Sequence, residues 1–176
     1  MRPTLRSRQQ ENSLMNLPYR IRVTKDYLSF CSAHFITYDG DKCERLHGHN
    51  YRLTVEVEGP LDENQYVFDF VTLKKICKEV VDELDHHMLL PTESELIEVR
   101  ESGTQVRARF RDLCWEFPKQ DCVLLPIANT TAELLGAWIG RRILDLLLER
   151  HGYRPDVLRA EVEETAGQSA RVEFRA

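Results

Sequence analysis

The sequence predicts an α+β fold built on an antiparallel β-sheet. Three observations point there. Several stretches alternate apolar and polar residues, two longer segments carry apolar residues at helical spacing, and the alternating stretches follow one another across turns instead of interleaving singly with helices. The chain has 176 residues, 42% hydrophobic and 30% charged, enough to bury a core without disulfide staples. A net charge of −5 argues against general binding to nucleic acid or an anionic membrane, because both need a positive field. Five cysteines, Cys31, Cys43, Cys77, Cys114 and Cys122, are odd in number and irregularly spaced, as expected of free thiols in the cytoplasm. Apolar runs fall short of a membrane span. Residues 1–18 are basic and polar, an expected flexible N-terminal arm, and residues 19–176 an expected single domain.

Residues 19–25 alternate, with Ile21 and Val23 opposing Arg20 and Arg22, and predict a half-buried strand. Asp26 opens a turn. Residues 28–35 form a second strand, in which Phe30, Ser32 and His34 share one face while Cys31, Ala33 and Phe35 share the other. Residues 38–41 carry loop chemistry. From His47, alternation runs through Tyr51, Leu53, Val55 and Val57 until Gly59-Pro60 stops it. Residues 66–68 predict a short strand and Asp69 an N-cap. Leu73, Ile76, Cys77, Val80, Val81 and Leu84 then recur with the period of an amphipathic helix.

Residues 96–100 and 106–110 predict a hairpin about Ser102-Gly103, and residues 113–117 and 122–125 a second short pair. Thr130-Thr131-Ala132-Glu133 has the form of a capping box for a helix reaching about Arg150, ended by His151-Gly152 and apolar enough to be buried on more than one side. Residues 157–164 and 170–174 supply the last two strands, so the order is ββαββαββ in outline.

The chemistry concentrates between Cys43 and Tyr51. On a strand, His47 and His49 project to the same face. An antiparallel partner carrying His34 brings in a third imidazole, and three histidines leave a tetrahedral zinc one open position, as in catalytic sites. A lone strand histidine is more often a packed core residue; the His-Gly-His spacing reverses that preference. Gly48 suits close backbone approach by a ligand. Cys43 lies near enough to be a base or nucleophile at the rim, and Glu44 is either a solvated carboxylate or a second proton-transfer group. Asp85-His86 has the form of an orienting carboxylate–imidazole pair, or of a helix end that favours histidine. Cys31 and Cys77 sit in apolar patterns and read as buried and inert. Glu163-Glu164-Thr165 is an ordinary strand end or an anchor for amide-like donors.

With these residues assembled, the chain resembles the 6-pyruvoyl-tetrahydropterin synthase family, which includes the bacterial 6-carboxy-tetrahydropterin synthases of queuosine biosynthesis. The resemblance covers residues 19–174. It rests on the Phe30-to-His34 segment, Cys43-x-x-x-His47-Gly48-His49-Asn50-Tyr51, Phe68-Asp69-Phe70, Leu84-Asp85-His86, Thr130-Thr131-Ala132-Glu133 and Glu164-Thr165. It implies a tunnelling fold, with an antiparallel four-stranded sheet and two helices on one face. Trimers would close a twelve-stranded barrel and stack in pairs into a hexamer, with active sites between subunits.

The resemblance also implies roles. His34, His47 and His49 would hold Zn2+, Cys43 would abstract a proton, and Asp85 and His86 would complete a relay. Glu164 would grip the guanidine-like edge of a pterin, with help from Thr130 or Thr131. The substrate would be 7,8-dihydroneopterin triphosphate, converted with loss of triphosphate to 6-carboxy-5,6,7,8-tetrahydropterin or 6-pyruvoyl-tetrahydropterin.

Two features depart from the family pattern. Residues 92–125 are longer than its usual link, which implies an extra hairpin insertion. Glu44 matches a folate branch that cleaves the side chain to 6-hydroxymethyl-dihydropterin, some members of which carry both Cys and Glu. A noncatalytic metal- or pterin-binding oligomer is the alternative of another class.

Overall fold

The computed structural model describes residues 17–176, so the N-terminal arm expected over residues 1–18 lies, but for its last two residues, outside the described residues. The strands are β1 (Tyr19–His34), β2 (Thr37–Tyr38), β3 (Lys42–Cys43), β4 (His47–Gly59), β5 (His87–Pro91), β6 (Glu98–Ser102), β7 (Gln105–Phe110), β8 (Leu113–Pro118), β9 (Cys122–Leu125), β10 (Val157–Thr165) and β11 (Gln168–Arg175), and the helices are α1 (Phe70–Asp82) and α2 (Ala132–His151). Six strands form one sheet in the order β11-β10-β4-β1-β5-β9. The first four are mutually antiparallel. The other two correct the expectation of a wholly antiparallel sheet, because β5 lies parallel to β1 and β9 parallel to β5. Parallel neighbours need long crossovers, and here α1 and the segment carrying β6 to β8 supply them.

The two strands expected before residue 36 are one strand with a bulge. Thr24 pairs with Thr54 and Ser29 with Arg52, so the register shifts between them. The shift moves the inward set from Val23 to Leu28 and Phe30, all buried, so the break in alternation is a change of parity within one strand. Residues 66–68 are not a strand, although Val67 is buried. The pair expected between residues 113–117 and 122–125 also does not form. Arg111, at φ 52, turns β8 back onto β7, while the short helix at Lys119–Asp121 redirects the chain so that β9 joins β5. Strands β6, β7 and β8 are therefore a separate three-stranded meander.

Both helices cover one face of the large sheet. Asp69 caps α1 by accepting from Thr72 N at 2.7 Å. The cap of α2 is Thr131, one residue later than the box suggests, accepting from Leu134 N. Gly152, left-handed at φ 60, ends α2. The main core joins Leu53, Val55, Leu158 and Val162 of the sheet to the two helices. The buried residues of α2 form one broad face rather than several, with Gly136 and Gly140 set against β10 and β11.

A second core lies on the other side of β5 and β9. There Met88 and Leu90 meet Val106, Ala108 and Phe110 of the meander, and Phe35 stacks on Trp115 with ring centroids 4.4 Å apart. Strand β5 is thus apolar on both faces. All five cysteines are free; Cys77 is buried as expected, whereas Cys31 is exposed. Leu53 sits fully buried in the middle of β4, and Leu53→Ala is expected to cost about 2–5 kcal/mol through lost burial and the cavity left behind. Urea unfolding at fixed protein concentration measures it, and a loss below that range shows that the core collapses onto the vacancy.

Candidate active site

The candidate centre lies where three core-facing stripes run out from beneath the helices. On β4 the inward set reads Val57, Val55, Leu53, Tyr51, and then changes to His49 and His47. On β1 it reads Leu28, Phe30, Ser32, His34, and on β10 it ends at Glu164, where a register shift between Glu163 and Thr165 re-aims the strand. The periodicity that builds the core thus delivers polar groups once the apolar cover stops.

Antiparallel pairing sets His34 opposite His47 and Ser32 opposite His49. One ligand nitrogen from each histidine lies within 4.8 Å of the others. Two of the tautomers are fixed by backbone. His34 Nδ1 donates to Thr130 O at 2.9 Å and His47 Nδ1 to Arg45 O at 2.7 Å. A carbonyl can only accept, so in the neutral form of each ring the lone pair lies on Nε2. His34 is 1% exposed, and burial, reinforced by His47 and His49, lowers its pKa against the opposing effects of the Thr130 bond and Glu164. It is a neutral imidazole at pH 7. Imidazoles oriented in this way fit a zinc ion.

Gly48 has a role different from the expected ligand approach. A Cβ there would lie 3.0 Å from Ser32 O, so the backbone of β1 itself is what comes close.

Around the histidines stand Tyr51 and two carboxylates. Glu164 Oε1 is 3.6 Å from Nε2 of both His34 and His49 and accepts from the Tyr51 hydroxyl at 3.4 Å. Burial, then the Glu164 charge, pushes the Tyr51 phenol well up, so it stays protonated as a donor. Glu44 Oε2 is 3.7 Å from His47 Nε2. Cys43 ends the short β2–β3 hairpin, half-buried against the second core, with its thiol donating to Glu44 O at 3.4 Å. Burial and then Glu44 raise its pKa. In this arrangement the carboxylate of Glu44, not the Cys43 thiol, is in contact with a histidine.

Thr130 is fully buried; its hydroxyl donates to Phe35 O at 3.2 Å and its carbonyl holds His34. It supports the site from behind. Thr131 lines a cleft of about 340 Å³ together with Ile36, Glu133, Glu164 and Gln168.

Asp85 and His86 do form a pair, His86 Nδ1 donating to Asp85 Oδ2 at 2.9 Å. Asp85 also accepts from Cys31 N at 2.8 Å, and His86 N donates to Cys31 O at 2.7 Å. Partial burial of the Asp85 carboxyl is outweighed by these donors, which hold its pKa below the usual value. His86 takes a left-handed backbone, φ 60, and its side chain is 81% exposed. Among the described residues no hydrogen bond or ion pair joins Asp85 or His86 to the three histidines.

Sequence reasoning missed Tyr51 as a member of the site, though its place on the histidine stripe was a signal, and Asn129, whose side chain bonds Thr37. The orienting carbonyls of Thr130 and Arg45 leave no trace in residue type.

Fold and site together define an α+β protein with three convergent histidines that could hold a metal ion, flanked by two glutamates. The sequence pattern of the 6-pyruvoyl tetrahydropterin synthase family matches residues 22–175, and the chain belongs to that family. A Methanocaldococcus jannaschii protein, provisionally named a 6-carboxy-5,6,7,8-tetrahydropterin synthase, is 33% identical over 144 residues, 81% of this chain and 88% of its own. Crystalline 6-pyruvoyl tetrahydropterin synthase from Plasmodium vivax is 30% identical, with a TM-score of 0.84 over 92% of this chain and 100% of that one; the same enzyme has also been solved with a catalytic residue, a glutamate, replaced by alanine. Over a shorter stretch of 61 residues, 35% of this chain and 51% of the relative, the dihydroneopterin monophosphate aldolase of Pyrococcus furiosus is 46% identical.

Proposed function

We propose that this protein is a zinc-dependent lyase of the tetrahydropterin-synthase type acting on 7,8-dihydroneopterin triphosphate. The observation that carries this reading is the convergence of His34, His47 and His49 with two tautomers fixed by backbone carbonyls. These three residues would hold zinc, which when bound supplies Lewis acidity toward the hydroxyls of the substrate side chain. The rest of the chemistry falls to the chain. Glu164, at the wall of the cleft that Thr131 also lines, offers a carboxylate to the paired N–H donors of the pterin edge. Cys43 takes a proton from the side chain, the electrons of that C–H bond form the new double bond, and the C–O bonding pair leaves with triphosphate. The enol left behind becomes a ketone, and the two hydrogens of the first side-chain carbinol move to C6 and N5 of the ring, which gives 6-pyruvoyl-tetrahydropterin. The 6-carboxy product, which the name of the Methanocaldococcus jannaschii relative favours, needs in addition one water and release of the two outer carbons as acetaldehyde.

Asp85-His86 lies apart from the histidines of its own chain; in a hexamer of stacked trimers the relay would be completed across a subunit boundary. The single domain over residues 19–176 would act in the cytoplasm, and the meander would be the extra element that lengthens residues 92–125. No described helix is long and apolar enough to cross a membrane.

A second reading is favoured by Glu44, which stands 3.7 Å from His47 Nε2 while the Cys43 thiol is turned into apolar packing. A catalytic glutamate in the Plasmodium vivax enzyme and the aldolase name of the Pyrococcus furiosus relative agree with it. Glu44 would then take the proton of the hydroxyl on the second side-chain carbon, and the bond between the first and second carbons would break with its electron pair passing toward the ring. Protonation of the first carbon would give 6-hydroxymethyl-dihydropterin, the outer two carbons leaving as a phosphorylated glycolaldehyde.

Incubation of zinc-loaded protein with 7,8-dihydroneopterin triphosphate, followed by mass spectrometry, is expected to show free triphosphate and a tetrahydropterin. Release of 6-hydroxymethyl-dihydropterin alone would assign the Glu44 reaction instead. Binding without turnover would leave a noncatalytic pterin-binding oligomer.

A further inference from the structure

Cys43 and Glu44 sit on a hairpin whose two strands are only two residues each. Such a hairpin is too short to hold its own geometry. On one side it leans on the meander through Cys43 and the Phe35–Trp115 stack, contacts that are apolar and without direction. The ion pair from Arg111 to Asp41, 3.4 Å long with both side chains 62% exposed, adds little hold in water.

The directional contact comes from Asn129. Its Nδ2 donates to Thr37 O at 2.9 Å and its Oδ1 accepts from Thr37 N at 3.3 Å. The side-chain amide thus stands in for a peptide group beside Thr37, and Thr37 is the strand partner of Cys43. The same Oδ1 accepts from Thr130 N at 3.1 Å, and the carbonyl of Thr130 orients His34. One short planar group therefore ties the hairpin to the segment that sets a metal-site histidine.

We propose that Asn129 is a positioning residue, fixing the hairpin that carries Cys43 and Glu44 against the start of α2 and so setting both groups in register with the three histidines. This inference rests on the reading of Cys43 and Glu44 as the proton-transfer groups. Aspartate at this position keeps the shape and loses the donor to Thr37 O; alanine loses all three contacts. Neither change touches a histidine or the main core.

The test compares Asn129→Asp and Asn129→Ala with the unaltered protein. Both variants are expected to retain bound zinc, while kcat for product release falls roughly ten- to a hundredfold because reacting groups are misplaced by about an ångström. KM should stay within about twofold, since substrate anchoring is untouched. Independently of turnover, alkylation of Cys43 by iodoacetamide, mapped by peptide mass spectrometry, should accelerate roughly tenfold as the hairpin loosens, with buried Cys77 remaining protected and exposed Cys114 serving as a reference. Unchanged kcat and unchanged Cys43 alkylation would overturn the proposal. So would a loss of activity accompanied by lost zinc and an exposed Cys77, which marks general unfolding. If the unaltered protein turns nothing over, Cys43 alkylation alone decides whether Asn129 holds the hairpin, and the failure belongs to the functional reading.

Discussion

His34→Ala is expected to abolish zinc retention and turnover together. His34 is the one histidine of the three that is almost fully buried, and its Nδ1 is held by Thr130 O. Truncation removes a metal-site nitrogen, strands that carbonyl and takes away a group 3.2 Å from the Tyr51 hydroxyl. Loss of an orienting partner alone typically costs ten- to a hundredfold in metal affinity, so loss of the imidazole should cost more than about a hundredfold. Metal analysis after chelator-free purification reads this directly. A His34→Ala protein that keeps stoichiometric zinc would show that the metal sits elsewhere. Thermal unfolding in the presence of excess zinc should also separate the two proteins, because an ion that binds only the folded form raises its midpoint.

The second large effect concerns the pair Cys43 and Glu44. Cys43→Ala is expected to lower triphosphate release by roughly a hundredfold or more, the usual scale for removing a proton-transfer group, while Glu44→Ala should suppress any 6-hydroxymethyl-dihydropterin. Full triphosphate release from Cys43→Ala would sink the role given to the thiol. The pH profile distinguishes the same roles. Burial and the neighbouring Glu44 raise the Cys43 pKa, so the thiolate is the minor form at neutral pH and its fraction grows as pH rises. Cys43-dependent release should therefore climb by up to about tenfold per pH unit below the thiol pKa. A reaction carried by Glu44 does not draw on the thiolate and should lack that climb.

Much of the site was legible because strand periodicity is local. Alternation alone put His47 and His49 on one face, and a short connection to His34 made antiparallel pairing the economical arrangement. What alternation does not carry is which layer covers a face. Cys31 shares its face with Ala33 and Phe35, yet only those two reach the meander, so Cys31 is exposed. Pairings between distant segments were equally silent. Nothing in residues 113–117 distinguishes β7 from β9 as a partner, and the choice is made by the turn at Arg111 and by the short helix before β9. The single bulge in β1 read as a turn because Asp26 carries turn chemistry, although the change of inward parity from Val23 to Leu28 was visible. The offset of the α2 cap from Thr130 to Thr131 leaves Thr130 free to be buried, and that cannot be seen without knowing that its carbonyl is needed by His34.

That bond between His34 and Thr130 spans 96 positions of the chain, whereas His34 faces His47 across a hairpin. The two halves of the centre therefore differ widely in the loop that must close to make them, and are expected to form at different stages of folding. Contacts close in sequence form early, and those closing large loops form late. A chain that has made only its first hairpin already presents histidines to a metal, but the imidazole of His34 is free to turn until α2 docks. An ion captured early would be held loosely and reversibly, and tight retention would await the docking of α2, so metal occupancy would be expected to report on completed folding.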